Sequence, residues 1–117
     1  MHTLFVYGTL RKGGSQHERM RNARFLAEAT ISGLLYEIDW YPGVVLDESQ
    51  RYRVHGELYQ VTDELLTELD DFEGPEYRRV KQNTLTTKHE MFSAWIWEYA
   101  RPTTGKKIIA SGDWLQR

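Results

Sequence analysis

Strand-like runs outnumber helical ones along this chain and rarely alternate with them, and that restricts the fold more than anything else in the sequence. Thr3 to Tyr7 is β-branched and aromatic until Gly8 breaks it, as expected of a buried strand. Ala23 to Ile38 contains strand-like stretches interrupted at Gly33, and Tyr41-Pro42-Gly43 reads as a turn into the apolar run Val44-Val45-Leu46. Val54 to Val61 alternates, with Val54, Gly56 and Leu58 on one face and His55, Glu57 and Tyr59 on the other. Tyr77 to Leu85 and Phe92 to Tyr99 give two further strands, the second carrying Trp95, Trp97 and Tyr99 at alternate positions. Against these stand two helical signals. Ser15-Gln16-His17-Glu18 matches a capping box, which predicts a short helix from Ser15 to about Asn22. Thr62 is a second candidate N-cap, ahead of Leu65, Leu66, Leu69 and Phe72. Without regular strand–helix alternation, the expected class is α+β: a compact mixed β-barrel or curled sheet with a few flanking helices.

A chain of 117 residues with 40% hydrophobic content suits a single domain over 1–117. Its formal charge of −2 disfavours nucleic-acid binding, which needs a clustered basic surface. There is no cysteine, so disulfides, thiolate metal sites and a Cys nucleophile are excluded, and a cytoplasmic setting fits. The apolar run near Met1 is far too short for a signal peptide or a membrane span. His2, His17, His55 and His89 show no metal-ligand spacing, and no G-x-S-x-G elbow is present. His55 is expected on a strand surface.

The Thr62 helix contains and is followed closely by acids, and their positions differ. With Leu65 at zero and about 100° per residue, Leu69 falls at roughly 40°, Leu66 at roughly 100° and Glu73 between them at roughly 80°. Glu64, Glu68, Asp70 and Asp71 project outside the apolar arc, so neutralising Asp70 or Asp71 is expected to change little. Burial and the helix C-terminal dipole both disfavour an anion at Glu73 and raise its pKa, as suits a general base or acid. The alternative is an ordinary helix-end acid, solvated or paired with Arg78 or Arg79.

Tyr7-Gly8-Thr9-Leu10 supplies a second candidate. Backbone N–H groups in a turn after a strand lack ladder partners and can converge on an anionic or carbonyl oxygen. Gly8 allows close approach to the main chain, so Gly8→Val is expected to abolish ligand binding with the fold kept. Gly8 to Ser15 has the glycine spacing of a phosphate-binding loop, but Gly14 stands where that loop needs its lysine.

Val6-Tyr7-Gly8-Thr9-Leu10-Arg11, Gly56-Glu57-Leu58-Tyr59, Leu69-Asp70-Asp71-Phe72-Glu73-Gly74 with Tyr77 and Arg78, and Ser111-Gly112-Asp113-Trp114 together resemble the γ-glutamylcyclotransferase-like family. The similarity is to its γ-glutamylamine cyclotransferase branch and small bacterial relatives. It spans essentially the whole chain. The resemblance implies an enzyme acting on a small γ-glutamyl amine or peptide, with no cofactor and no metal, as a monomer or weak dimer. The substrate's α-amino group attacks its own side-chain carbonyl, forming 5-oxoproline and releasing the amine. By the same resemblance Glu73 is the catalytic acid/base, and Tyr7, Gly8, Thr9, Leu10 and Tyr77 bind substrate. The loop from Glu73 to Tyr77 is shorter than is common in the family. The competing class is a non-catalytic module of the same fold that binds an amino-acid-like ligand.

Overall fold

The computed structural model describes residues 1–117. Seven strands and one α-helix appear in the order β1 (His2–Val6), β2 (Arg24–Glu37), β3 (Pro42–Leu46), β4 (Arg53–Val61), α1 (Asp63–Glu73), β5 (Tyr77–Thr86), β6 (Met91–Tyr99) and β7 (Lys107–Ile108). Short 3-10 turns cover His17–Met20 and Trp114–Gln116. The architecture is α+β, as expected, and the sheet closes on itself.

Five strands make the ring. β1 pairs antiparallel with β4, β4 with β2, and β2 with β3. Two parallel contacts then complete it, Val44 with Glu98 between β3 and β6, and Leu4 with Trp95 between β6 and β1. β5 lies antiparallel along β6 and touches β2 at Ala29 and Thr30. β2 is long enough to serve four partners because it runs unbroken through Gly33. The expected interruption there is absent: Gly33 pairs with Leu46, and an added Cβ would lie 2.9 Å from the Val45 carbonyl oxygen. Pro42 and Gly43, expected in a turn, are the first residues of β3.

Period-two alternation separates two cores. Phe5 of β1 and Tyr7 just beyond it join Ile31, Val44, Leu58 and Ile96 inside the ring. Leu4 and Val6 face the other way and pack with Leu65, Leu66, Leu69 and Trp97 under α1. Thr62 caps α1 by accepting the Leu65 N–H at 3.1 Å, as the sequence predicts. The Ser15 capping box does not form. The turn begins after Gln16, which has no side-chain cap bond; the Gln16 N–H instead donates to the Thr9 carbonyl at 2.8 Å. No helix is long and apolar enough to cross a membrane.

Candidate active site

All six residues singled out in the sequence line one cavity of about 30 Å³: Tyr7, Gly8, Thr9, Leu10, Glu73 and Tyr77. Phe5, Val6, Tyr41, Pro42 and Trp97 complete its wall. β1 delivers the turn from below, and α1 delivers Glu73 from its last residue. Gly74 ends the helix with a φ of 76° and donates its N–H to the Asp70 carbonyl at 3.1 Å. That left-handed position suits glycine and turns the chain away at once.

Glu73 lies on the buried side of α1, while Glu64, Glu68 and Asp71 are exposed. It has no cationic partner. Arg79 is engaged by Asp70 at 2.9 Å and Arg78 by Glu98 at 3.1 Å, so the ion-pair alternative for Glu73 is not realised. Burial, followed by the nearby Asp70 charge, pushes its carboxyl from 4.5 up to about 7. Glu73 is thus half protonated near neutral pH, where a group can both accept and return a proton.

The turn has an uneven hydrogen-bond pattern. Its carbonyls are taken: Gly8 O accepts from the Arg11 N–H at 3.1 Å, Thr9 O from Gln16, Arg11 O from the Gly14 N–H at 2.7 Å, and Leu10 O from His17 Nδ1 at 2.9 Å. The N–H groups of Tyr7, Gly8, Thr9 and Leu10, all buried residues, donate to no acceptor in the protein. Buried amides are rarely left so. Four in succession, on residues that line the cavity, form a cradle of free donors that a carboxylate or an oxyanion can use.

The tyrosines act differently from one another. The Tyr7 hydroxyl donates to the Trp97 carbonyl at 2.7 Å and accepts the Val44 N–H at 3.2 Å, bridging β3 and β6 where their pairing is thinnest. Burial first, then the Glu73 charge, holds it well above the ordinary tyrosine range. Its proton is committed to a carbonyl, so what Tyr7 offers a ligand is its main chain. The Tyr77 hydroxyl donates to the Pro42 carbonyl at 2.5 Å and is raised chiefly by burial. Despite the short loop from Glu73, it lines the same cavity as the turn. Tyr41 donates to Glu76 at 2.6 Å, the main cause of its rise to about 12.

Two expectations need correction. Gly8 is required by Pro42: a Cβ there would lie 2.7 Å from the proline ring, so a larger residue would disturb the cavity wall before any ligand enters. Asp70 is not a spare surface acid. It accepts from Arg79 Nε and from Trp97 Nε1 at 2.7 Å, joining α1 to β5 and β6, and its charge acts on Glu73. Helical projection could show only that Asp70 leaves the leucine face; its partners are nine and 27 residues away.

Residues 4–116 match the family described as Gamma-glutamyl cyclotransferase, AIG2-like. The chain is 42% identical to the Gamma-glutamylcyclotransferase family protein YtfP of Escherichia coli K12, over 97% of this chain and 96% of that protein. The crystal structure of an uncharacterized Pyrococcus horikoshii protein superposes with a TM-score of 0.79 at 31% identity, covering 99% of this chain and 92% of that one. The Gamma-L-glutamyl-butirosin B gamma-glutamyl cyclotransferase of Niallia circulans is 41% identical over 75 residues, 62% of this chain and 46% of that protein.

Proposed function

The chain belongs to the γ-glutamyl cyclotransferase, AIG2-like family, and from that premise we propose that it cyclises the γ-glutamyl part of a small amide to 5-oxoproline. The α-amino nitrogen attacks the γ-carbonyl carbon, forming the ring C–N bond. The original amide C–N bond breaks and the amine departs. Nucleophile and target are tethered in one molecule, so orientation supplies much of the acceleration. Glu73 takes one proton from the α-ammonium and gives it to the departing nitrogen, then takes the second proton from the ring nitrogen once the new bond forms, and that proton leaves with the amine as its ammonium. The N–H groups of Tyr7 to Leu10 receive the glutamyl oxygens, including the one that becomes an oxyanion.

The single observation that carries this reading is a carboxyl poised near pH 7, without an ion partner, lining the same cavity as four unpaired amides.

The test is incubation with a panel of γ-glutamyl amines, γ-glutamyl dipeptides, γ-glutamyl-ε-lysine and γ-glutamyl butirosin B, with 5-oxoproline read by mass spectrometry. Release from at least one member is expected. Ligand binding without release from any would contradict turnover and leave a binding module.

A further inference from the structure

Three motifs far apart in the sequence meet behind the cradle. Arg11 leaves the turn, is 7% exposed, and reaches two carboxylates: Nε donates to Glu57 Oε2 at 3.0 Å and Nη1 to Asp113 Oδ1 at 2.7 Å. Glu57, 4% exposed, also accepts the Lys12 N–H at 2.9 Å and the Tyr59 hydroxyl at 3.0 Å on Oε1. It lies opposite Val6 in the β1–β4 register, directly where the chain leaves the strand for the turn. Asp113 in turn accepts the Leu115 N–H at 3.0 Å. Its own segment is pinned to β4 through Gly112, whose carbonyl accepts the His55 N–H at 2.8 Å. Gly112 has a φ of 68°, and a Cβ there would lie 2.1 Å from the Arg53 carbonyl oxygen.

A turn with four unsatisfied buried amides is under constant pressure to rotate them toward water or a carbonyl. The bonds within the turn fix its peptide planes relative to one another, since each bonded carbonyl shares a rigid plane with the N–H of the next residue. What anchors that turn as a unit to the barrel comes from outside it, through the guanidinium and the Lys12 amide, and only a planar fork reaches both acids at once. We propose that Arg11, clamped between Glu57 and Asp113, is a positioning residue that holds the amide cradle in its binding geometry. The C-terminal segment Ser111–Asp113 is thereby part of the substrate-binding apparatus, although it lines none of the cavity. The inference rests on the cradle's binding role given above.

Asp113→Asn keeps the shape of the side chain and its bond to Leu115 while removing the charge that holds Arg11. Nitrogen-15 NMR of wild type and D113N should show the Gly8, Thr9 and Leu10 amide resonances shifted and broadened. Those of Leu65 to Leu69 should stay in place. This readout needs no substrate, so it stands even if the panel yields no turnover. Unchanged cradle resonances would overturn the proposal. On whichever panel member wild type converts, D113N should raise KM and lower kcat together, reducing kcat/KM about 10-fold or more, because the same amides hold the ground-state oxygens and the oxyanion. A variant that merely loses folded enzyme would lower apparent kcat at unchanged KM, and that result also counts against positioning. If D113N does not fold, Arg11→Lys, which keeps the charge but cannot bridge both acids, is read by the same two measurements with the same expectations.

Discussion

Replacing Glu73 by glutamine should stabilise the fold, and the gain should appear only as the pH rises toward neutrality. The carboxyl sits at about 7 in the folded chain against an ordinary 4.5. Folding therefore takes up a proton between those values. The native state is favoured below pH 4.5 and progressively loses that advantage as pH climbs through 7. The interval corresponds to about 3 kcal/mol at about 1.4 kcal/mol per pH unit. Solvent access to the partly exposed side chain reduces this to about 2 kcal/mol. Glutamine has nothing to ionise, so Glu73→Gln should match wild type in urea unfolding at pH 4.5. It should exceed wild type by about 2 kcal/mol at pH 8.5, or roughly 5–10 °C in Tm for a chain of this size. A stability difference that is equal at both ends of the range, or that favours wild type at pH 8.5, would refute the buried-carboxyl argument.

Two further substitutions probe the surroundings. Asp70→Asn removes the negative charge beside Glu73, so the acid limb of kcat/KM should move below its wild-type position near pH 7. It should also cost about 1–2 kcal/mol of stability, from the weakened bonds to Arg79 and Trp97. An unmoved limb would show that burial alone sets the Glu73 value. Gly8→Val should lower stability as well as ligand affinity, because its Cβ meets the Pro42 ring. A variant as stable as wild type that has lost only calorimetric affinity would restore the original view of Gly8 as a ligand-approach residue.

What could be read from the sequence was whatever a single period or a local cap decides. Glu73 was legible because 3.6-residue periodicity aligns it with Leu66 and Leu69, which the structure buries. Thr62 was legible because its bond to Leu65 lies within one turn. The unpaired amides after β1 followed from the strand ending at a glycine. Strict alternation put Glu57 on the face opposite Val54 and Leu58, which the structure places inside the ring. It could not show that the turn and the C-terminal segment cover that face and turn an outward acid into a buried one. The Ser15 capping box failed for a related reason: the Thr9 carbonyl captures the Gln16 amide across the turn, and a four-residue 3-10 turn is all that remains. Gly33 and Pro42 signalled breaks, but ring closure recruits both into strands. In each case the deciding partner is remote in sequence and adjacent in space.

The central claim is that Glu73 moves the proton during cyclisation, and the most direct measurement is the rate of 5-oxoproline release by wild type and Glu73→Gln at saturating substrate. Glutamine preserves the size of the side chain and the cradle beside it but cannot take a proton from the α-ammonium. The account predicts a fall of about 10²–10⁴-fold with substrate affinity retained. Equal rates for the two proteins would contradict it.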